Sequence, residues 1–125
     1  MPRNAINPKG MTAAGPYSHA VKTGNLVFLA GKTGTDSAGK LAAGGIGPET
    51  RQTFANLKLV LDACGLSFDH VVKCNVYLTD IGDFSAMNAV YGEHFTAPAP
   101  ARTTVAVAAL PGGAKVEIEM VAEGK

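Results

Sequence analysis

The chain is short of charge, of cysteine and of long apolar runs, and each shortage closes off a class of function. Charged residues make up 17% of the 125, and Lys+Arg 11 against Asp+Glu 10 leaves a net charge of +1. No basic run breaks that balance, so nucleic acid is not an expected partner: duplex binding rests on a concentrated cationic face. No stretch approaches a membrane span. Met1-Pro2-Arg3-Asn4-Ala5 lacks the apolar run of a secretory signal, and Pro2 reads as chain start rather than as an N-terminal base. The two cysteines, Cys64 and Cys74, lack metal-ligand spacing and read as buried free thiols of a reducing compartment. The expected localisation is therefore cytoplasmic. His19, His70 and His94 are scattered, without HxH or HExxH spacing, so no metal site is expected. Residues 34–47 are rich in glycine but lack the GK[ST] ending of a P-loop, and read as a flexible connection.

What remains is a globular chain. Hydrophobic residues at 46% are enough for one core, and the length is that of one domain, 1–125. After an irregular arm over 1–16, Tyr17 to Val21 and Leu26 to Ala30 read as short strands around the tight-turn pair Gly24-Asn25. Pro48 and Glu49 suit the first turn of a helix whose apolar stripe is Phe54, Leu57, Val60, Leu61 and Cys64, stopped by Gly65. Arg51, Gln52, Lys58 and Asp62 form its solvated side.

His70 to Thr79 alternates, with Val72, Cys74, Val76 and Leu78 on the helix side and Lys73, Asn75 and Tyr77 on the other. Asp80 or Asp83 caps a second helix carrying Phe84, Met87, Val90 or Tyr91, and Phe95. Strands over Arg102–Val107 and Lys115–Ala122 close the chain. The order β-β-α-β-α-β-β, class α+β, puts both helices on one face of a sheet. The other face is left bare unless a closed homo-oligomer covers it.

Pro100-Ala101-Arg102-Thr103-Thr104-Val105 and Lys115-Val116-Glu117-Ile118-Glu119 carry the chemistry. Arg102 offers a planar fork that grips a carboxylate with two bonds. A glutamate on the strand expected to pair back with it can orient or activate water. Together they suggest a small acid held by its carboxylate while water attacks it. The plainer reading pairs Arg102 with Glu117 or Glu119 across strands. No nucleophilic triad is visible. Lys32 reads as a solvated lysine near a loop, its sharper alternative being a Schiff-base amine activated by burial.

Gly15-Pro16-Tyr17-Ser18-His19-Ala20, Thr50-Arg51-Gln52-Thr53 with Asn56-Leu57, and Val71-Val72-Lys73 with Tyr77-Leu78-Thr79-Asp80 resemble the RidA (YjgF-type) family. So do Asn88-Ala89-Val90-Tyr91 with Phe95, the Arg102 block, and Ala109-Leu110-Pro111 with Val116-Glu117-Ile118-Glu119. The resemblance covers residues 15–122. It implies a chorismate-mutase-like fold and a homotrimer with a central barrel and clefts between subunits. It implies an enzyme: an enamine/imine deaminase that hydrolyses 2-aminoacrylate or 2-iminopropanoate to a 2-keto acid and ammonia, with no metal or organic cofactor. By the same resemblance Arg102 holds the substrate carboxylate and Glu117 positions water. Tyr17 lines the pocket from a neighbouring subunit, Gly31 supplies backbone donors, and Asn88 lies beside the cleft.

The chain departs from the family pattern where Ala30-Gly31-Lys32-Thr33-Gly34 replaces Ser-Gly-Gln-hydrophobic-Pro. A pocket hydroxyl is missing, Lys32 brings a cation, and Thr104 stands where many members carry cysteine. These changes favour, as alternatives, a larger imino acid such as 2-aminomuconate or a non-catalytic trimer that binds small carboxylates. A ribonuclease role is disfavoured by the balanced charge and the absence of a His pair.

Overall fold

Gly24 and Asn25 close the turn that sets the register of half the site. They join β2 (Ala20–Thr23) to β3 (Leu26–Thr33), with Thr23 facing Leu26. Gly24 has φ of 57° and Asn25 is not left-handed, the pattern of a type II′ turn whose twist suits the flanking strands. This computed structural model describes residues 2–124; Met1 and Lys125, the ends of the expected domain, lie outside the described residues. The expected irregular arm contains a short strand, β1 (Asn4–Ile6), added antiparallel to β2.

The first helix, α1 (Ile46–Ala63), holds Pro48 in its opening turn, where a missing N–H is harmless. Phe54, Leu57, Val60 and Leu61 are fully buried, as their spacing predicts. Phe54 is the hub: His94 stacks on it at 4.0 Å, and Phe68, Tyr91 and Phe95 meet its ring at steep angles. Truncating that ring to alanine removes about 3–5 kcal/mol of stability. On the outer side the pairs Lys58–Asp62 at 3.0 Å and Arg51–Glu93 at 3.3 Å are exposed. Each contributes about 0–1 kcal/mol.

The remaining elements are β4 (Val71–Leu78), α2 (Phe84–Tyr91), β5 (Ala101–Ala106) and β6 (Val116–Glu123). Asp80 caps the 3₁₀ turn that leads into α2, its carboxylate accepting from the Gly82 N–H. The six strands form one mixed sheet in the order β1-β2-β3-β6-β4-β5. Both helices pack on one face, α1 against β3, β6 and α2.

Two expectations are corrected. The strand of Arg102 does not pair with the strand of Glu117. β5 runs parallel to β4 at the sheet edge, and β6 lies antiparallel on the other side of β4. A helix between β4 and β5 makes a crossover unit, and crossovers join parallel neighbours. Nor does Val72 face the helices. The β4–β6 register shifts between Val71 and Lys73, so Val71 is buried and Val72 bulges out, 44% exposed. Cys74, Val76 and Leu78 face the core as expected.

Asn56 on α1 donates to the Thr33 and Thr35 carbonyls at 2.9 and 2.8 Å, fixing the end of β3. Glu49, 3% exposed, accepts from the Lys115 N–H at 2.9 Å and ties α1 to the start of β6. The helix-free face exposes Leu26 and Phe28 on β3 and Val105 on β5.

Candidate active site

The expected site residues fall into two groups on opposite faces of the sheet. Glu117 is in register with Tyr77 and Thr33, on the helix-free face. Arg102 is in register with Cys74, whose side chain is buried beneath the helices. β4 separates them, so neither Glu117 nor Glu119 makes the cross-strand ion pair with Arg102.

Around Glu117 the backbone is shaped for the carboxylate. The β3–β6 register shifts between Leu29 and Lys32, over Ala30 and Gly31. A Cβ placed on Gly31 would lie 2.6 Å from Glu117 Oε2. The carboxylate therefore rests on the space that glycine leaves. It accepts no hydrogen bond from any described side chain, whereas Glu119 accepts from the Tyr77 hydroxyl. Burial pushes the Glu117 carboxyl up, the charge of Glu119 adds to this, and Lys32 opposes it.

Lys32 is not solvated. It is 8% exposed, in register with Ile118, whose side chain is buried in the core. Its Nζ donates to His19 Nδ1 and sits 5.8 Å from the Tyr17 ring centroid. Burial lowers the Lys32 amine, and Glu117 pulls the other way. His19 is 2% exposed. Its Nε2 lies 3.2 Å from the Met11 carbonyl, and the backbone N–H of His19 donates to Asn7 Oδ1 at 2.9 Å. Since a carbonyl only accepts and an amine facing Nδ1 donates, the imidazole is the neutral Nε2–H tautomer. Burial lowers its basicity, and the neighbouring Lys32 lowers it further. Tyr17 meets the His19 ring edge-on at 5.8 Å and is itself 46% exposed.

On the other face the Arg102 guanidinium lies 4.7 Å from the Tyr91 ring centroid and 5.4 Å from that of Phe84. Both rings sit on α2, and Asn88 shares their side of the helix by spacing. Thr104 shares the face of β5 with Arg102. Asn88 Oδ1, Tyr91 Oη and Thr104 Oγ1 are buried without a hydrogen-bond partner, and Arg102 has no carboxylate partner among the described residues. Such unmatched polar atoms, clustered by an unpaired cation, are a cradle for a ligand with both acceptors and donors. Burial raises the Tyr91 hydroxyl above its usual range.

Sequence reasoning passed over His19 and Tyr91. The hairpin itself brings His19 to the site: with Ala20 opposite Leu29, His19 faces Ala30, whose N–H donates to the His19 carbonyl at 2.9 Å. A surface depression of about 750 Å³, lined by Arg3, Pro16, Tyr17, Ser18 and Val21, holds none of Arg102, Glu117 or Lys32. Among the described residues no three of His, Cys, Asp or Glu converge as metal ligands, and no helix is long and apolar enough to cross a membrane.

A mixed sheet with two helices on one face defines an α+β protein, with an arginine and a carboxylate that have no ionic partner among the described residues. The family model described as Endoribonuclease L-PSP matches residues 8–124. The chain belongs to that family, the YjgF/RidA family. It is 45% identical over 115 residues to the 2-iminobutanoate/2-iminopropanoate deaminase of Capra hircus, covering 91% of this chain and 84% of that protein. It is 44% identical over 125 residues to the mitochondrial protein mmf2 of Schizosaccharomyces pombe, covering 98% of each. The crystal structure of RidA from the Antarctic bacterium Psychrobacter superposes with a TM-score of 0.89 at 41% identity, over 96% of this chain and 98% of that one. A mitochondrial relative at this identity means that membership does not carry the cytoplasmic placement with it.

Proposed function

We propose that residues 1–125 act as one domain that hydrolyses small enamines and imines of the 2-aminoacrylate and 2-iminopropanoate type to 2-keto acids and ammonia. The observation that carries the reading is the Arg102 fork, left without a carboxylate beside three buried, unpartnered polar atoms. A substrate carboxylate supplies the missing partner. Thr104, Asn88 and Tyr91 then have acceptors and donors to meet. Glu117, resting on Gly31 with its basicity raised by burial, takes a proton from water as the water adds to the C=N carbon. The carbinolamine expels ammonia, and the ketone forms. The imine is already electrophilic, so orientation and one base suffice.

Because Arg102 and Glu117 lie on opposite faces, one chain holds two half-sites. A homotrimer that buries Leu26, Phe28 and Val105 in a central barrel completes them, Tyr17 and Glu117 of one subunit meeting Arg102 of the next. The deaminase names of relatives at about 45% identity support the chemistry, and the net charge of +1 suits a small acid better than the RNA of the family description. The test is a coupled assay generating 2-iminopropanoate in situ and following keto-acid release. Native protein accelerates release; Arg102→Ala loses the saturable binding, and Glu117→Gln binds without turnover. Binding by native protein without faster release would leave only a carboxylate-binding trimer, and turnover intact in Glu117→Gln would remove Glu117 as the base.

A further inference from the structure

The connection from β1 to β2, residues 7–19, holds no helix or strand, and its own backbone bonds are local, from Met11 to the Pro8 carbonyl and from Tyr17 to the Gly15 carbonyl. His19 pins it from within. The backbone N–H of His19 donates to Asn7 Oδ1, its Nε2–H is aimed at the Met11 carbonyl, and its ring meets Tyr17 edge-on. The last ring nitrogen, Nδ1, accepts from Lys32 on β3. The loop is thus fastened to the sheet through an imidazole whose one lone pair is already taken by an amine, and both groups are buried. A proton on Nδ1 would set an N–H against the donors of Lys32 and a second cation beside the first. At 2% exposure, the ring cannot reach water without moving the loop.

We propose that the His19–Lys32 contact is a proton-operated latch on the 7–19 loop: a neutral imidazole holds Asn7, Met11 and Tyr17 in place, and a proton on Nδ1 releases them. The latch stands on the fold alone and does not depend on the chemistry proposed above. From the arm the ring meets an amide, a carbonyl and an aromatic edge, while Arg3 and Lys9 are exposed. On β2 the charge of Lys22 is felt at Cys64. From β6 the Glu117 charge reaches Lys32, and Glu119 accepts from the Tyr77 hydroxyl. From α1, Glu49 accepts from the Lys115 N–H. Burial lowers the basicity of His19 and the charge of Lys32 lowers it further. Below the usual imidazole value of 6.5 the closed loop therefore binds fewer protons than the open one. Closure is fully supported above that pH and is lost as the pH falls toward the lowered value.

Hydrogen exchange of the native protein, read by mass spectrometry on a peptide covering residues 7–19 and corrected for the intrinsic pH dependence of exchange, tests the latch. Protection of that peptide falls with a slope approaching about tenfold per pH unit below 6.5, that of a single proton, while α1 keeps its protection. His19→Gln, whose amide still offers an acceptor to Lys32 and a donor to Met11 but takes up no proton, shows no such fall. Glu117, pushed up by burial, also takes a proton on acidification, so Glu117→Gln is the control: it keeps the fall if His19 is the group that titrates. Protection that stays flat in native protein overturns the latch whatever the variants do. A fall shared equally by α1 overturns it as general acid unfolding. A fall as steep in His19→Gln, or one abolished by Glu117→Gln, overturns the assignment to His19.

Discussion

Replacing Gly31 by alanine tests whether Glu117 works by position. Gly31 is not in the left-handed region, so alanine fits its backbone. The new methyl group would lie 2.6 Å from Glu117 Oε2, 3.0 Å from Cδ and 3.1 Å from Cγ, where ordinary contact begins at 3.4 Å. The obstructing atoms are the end of a flexible side chain, so the carboxylate retreats by about 1 Å and the fold stays. A displacement of that size is enough to lower a rate by about 10²-fold, or about 2.7 kcal/mol of barrier. In the coupled keto-acid assay kcat falls by that amount, KM moves little because Arg102 still holds the carboxylate, and the melting temperature is nearly unchanged. A variant with native kcat, or one with raised KM and native kcat, would refute the placement of Glu117 as the water-orienting group.

Gly34→Ala is the opposite case: its Cβ would meet the Glu49 backbone at 2.5 Å from O and 2.8 Å from Cα, so it costs about 1–3 kcal/mol of stability, read as a lower melting temperature. Glu49→Ala removes the carboxylate that accepts from the Lys115 N–H and loses about 1–3 kcal/mol in urea unfolding, while Glu49→Gln, which keeps an acceptor, loses less. The acid limb of kcat/KM lies above the ordinary carboxylate range, because the base must be ionised and burial raises Glu117. Glu119→Gln removes a charge that raises it further, so the limb moves to lower pH; a limb that moves upward or stays would exclude Glu117 as the titrating group.

The helices were legible because four residues per two turns must be apolar to cover a sheet, and Phe54, Leu57, Val60 and Leu61 are the ones buried. The Arg102 and Glu117 blocks were legible as motifs, but not the faces they occupy. Which strand lies between them depends on the crossover through α2, a long-range choice that alternation along each strand does not encode. β1 escaped notice because three residues are too few to show a period. Lys32 was misread for a physical reason: lysine is a surface residue by default, and its burial follows from the register shift over Ala30 and Gly31 that sets it opposite Ile118, a long-range pairing that local spacing does not encode.

The outward bulge at Val72 carries a consequence for how this family member tolerates change in length. With Val72 taken away, Val71, Lys73, Cys74 and Asn75 alternate between core and open face without interruption. The strand thus behaves as a regular one holding a supernumerary residue, accommodated at a single point so that Cys74, Val76 and Leu78 keep their places. A chain shortened by that one residue should pair as before, whereas a deletion at Asn75 would turn every later side chain of the strand inside out.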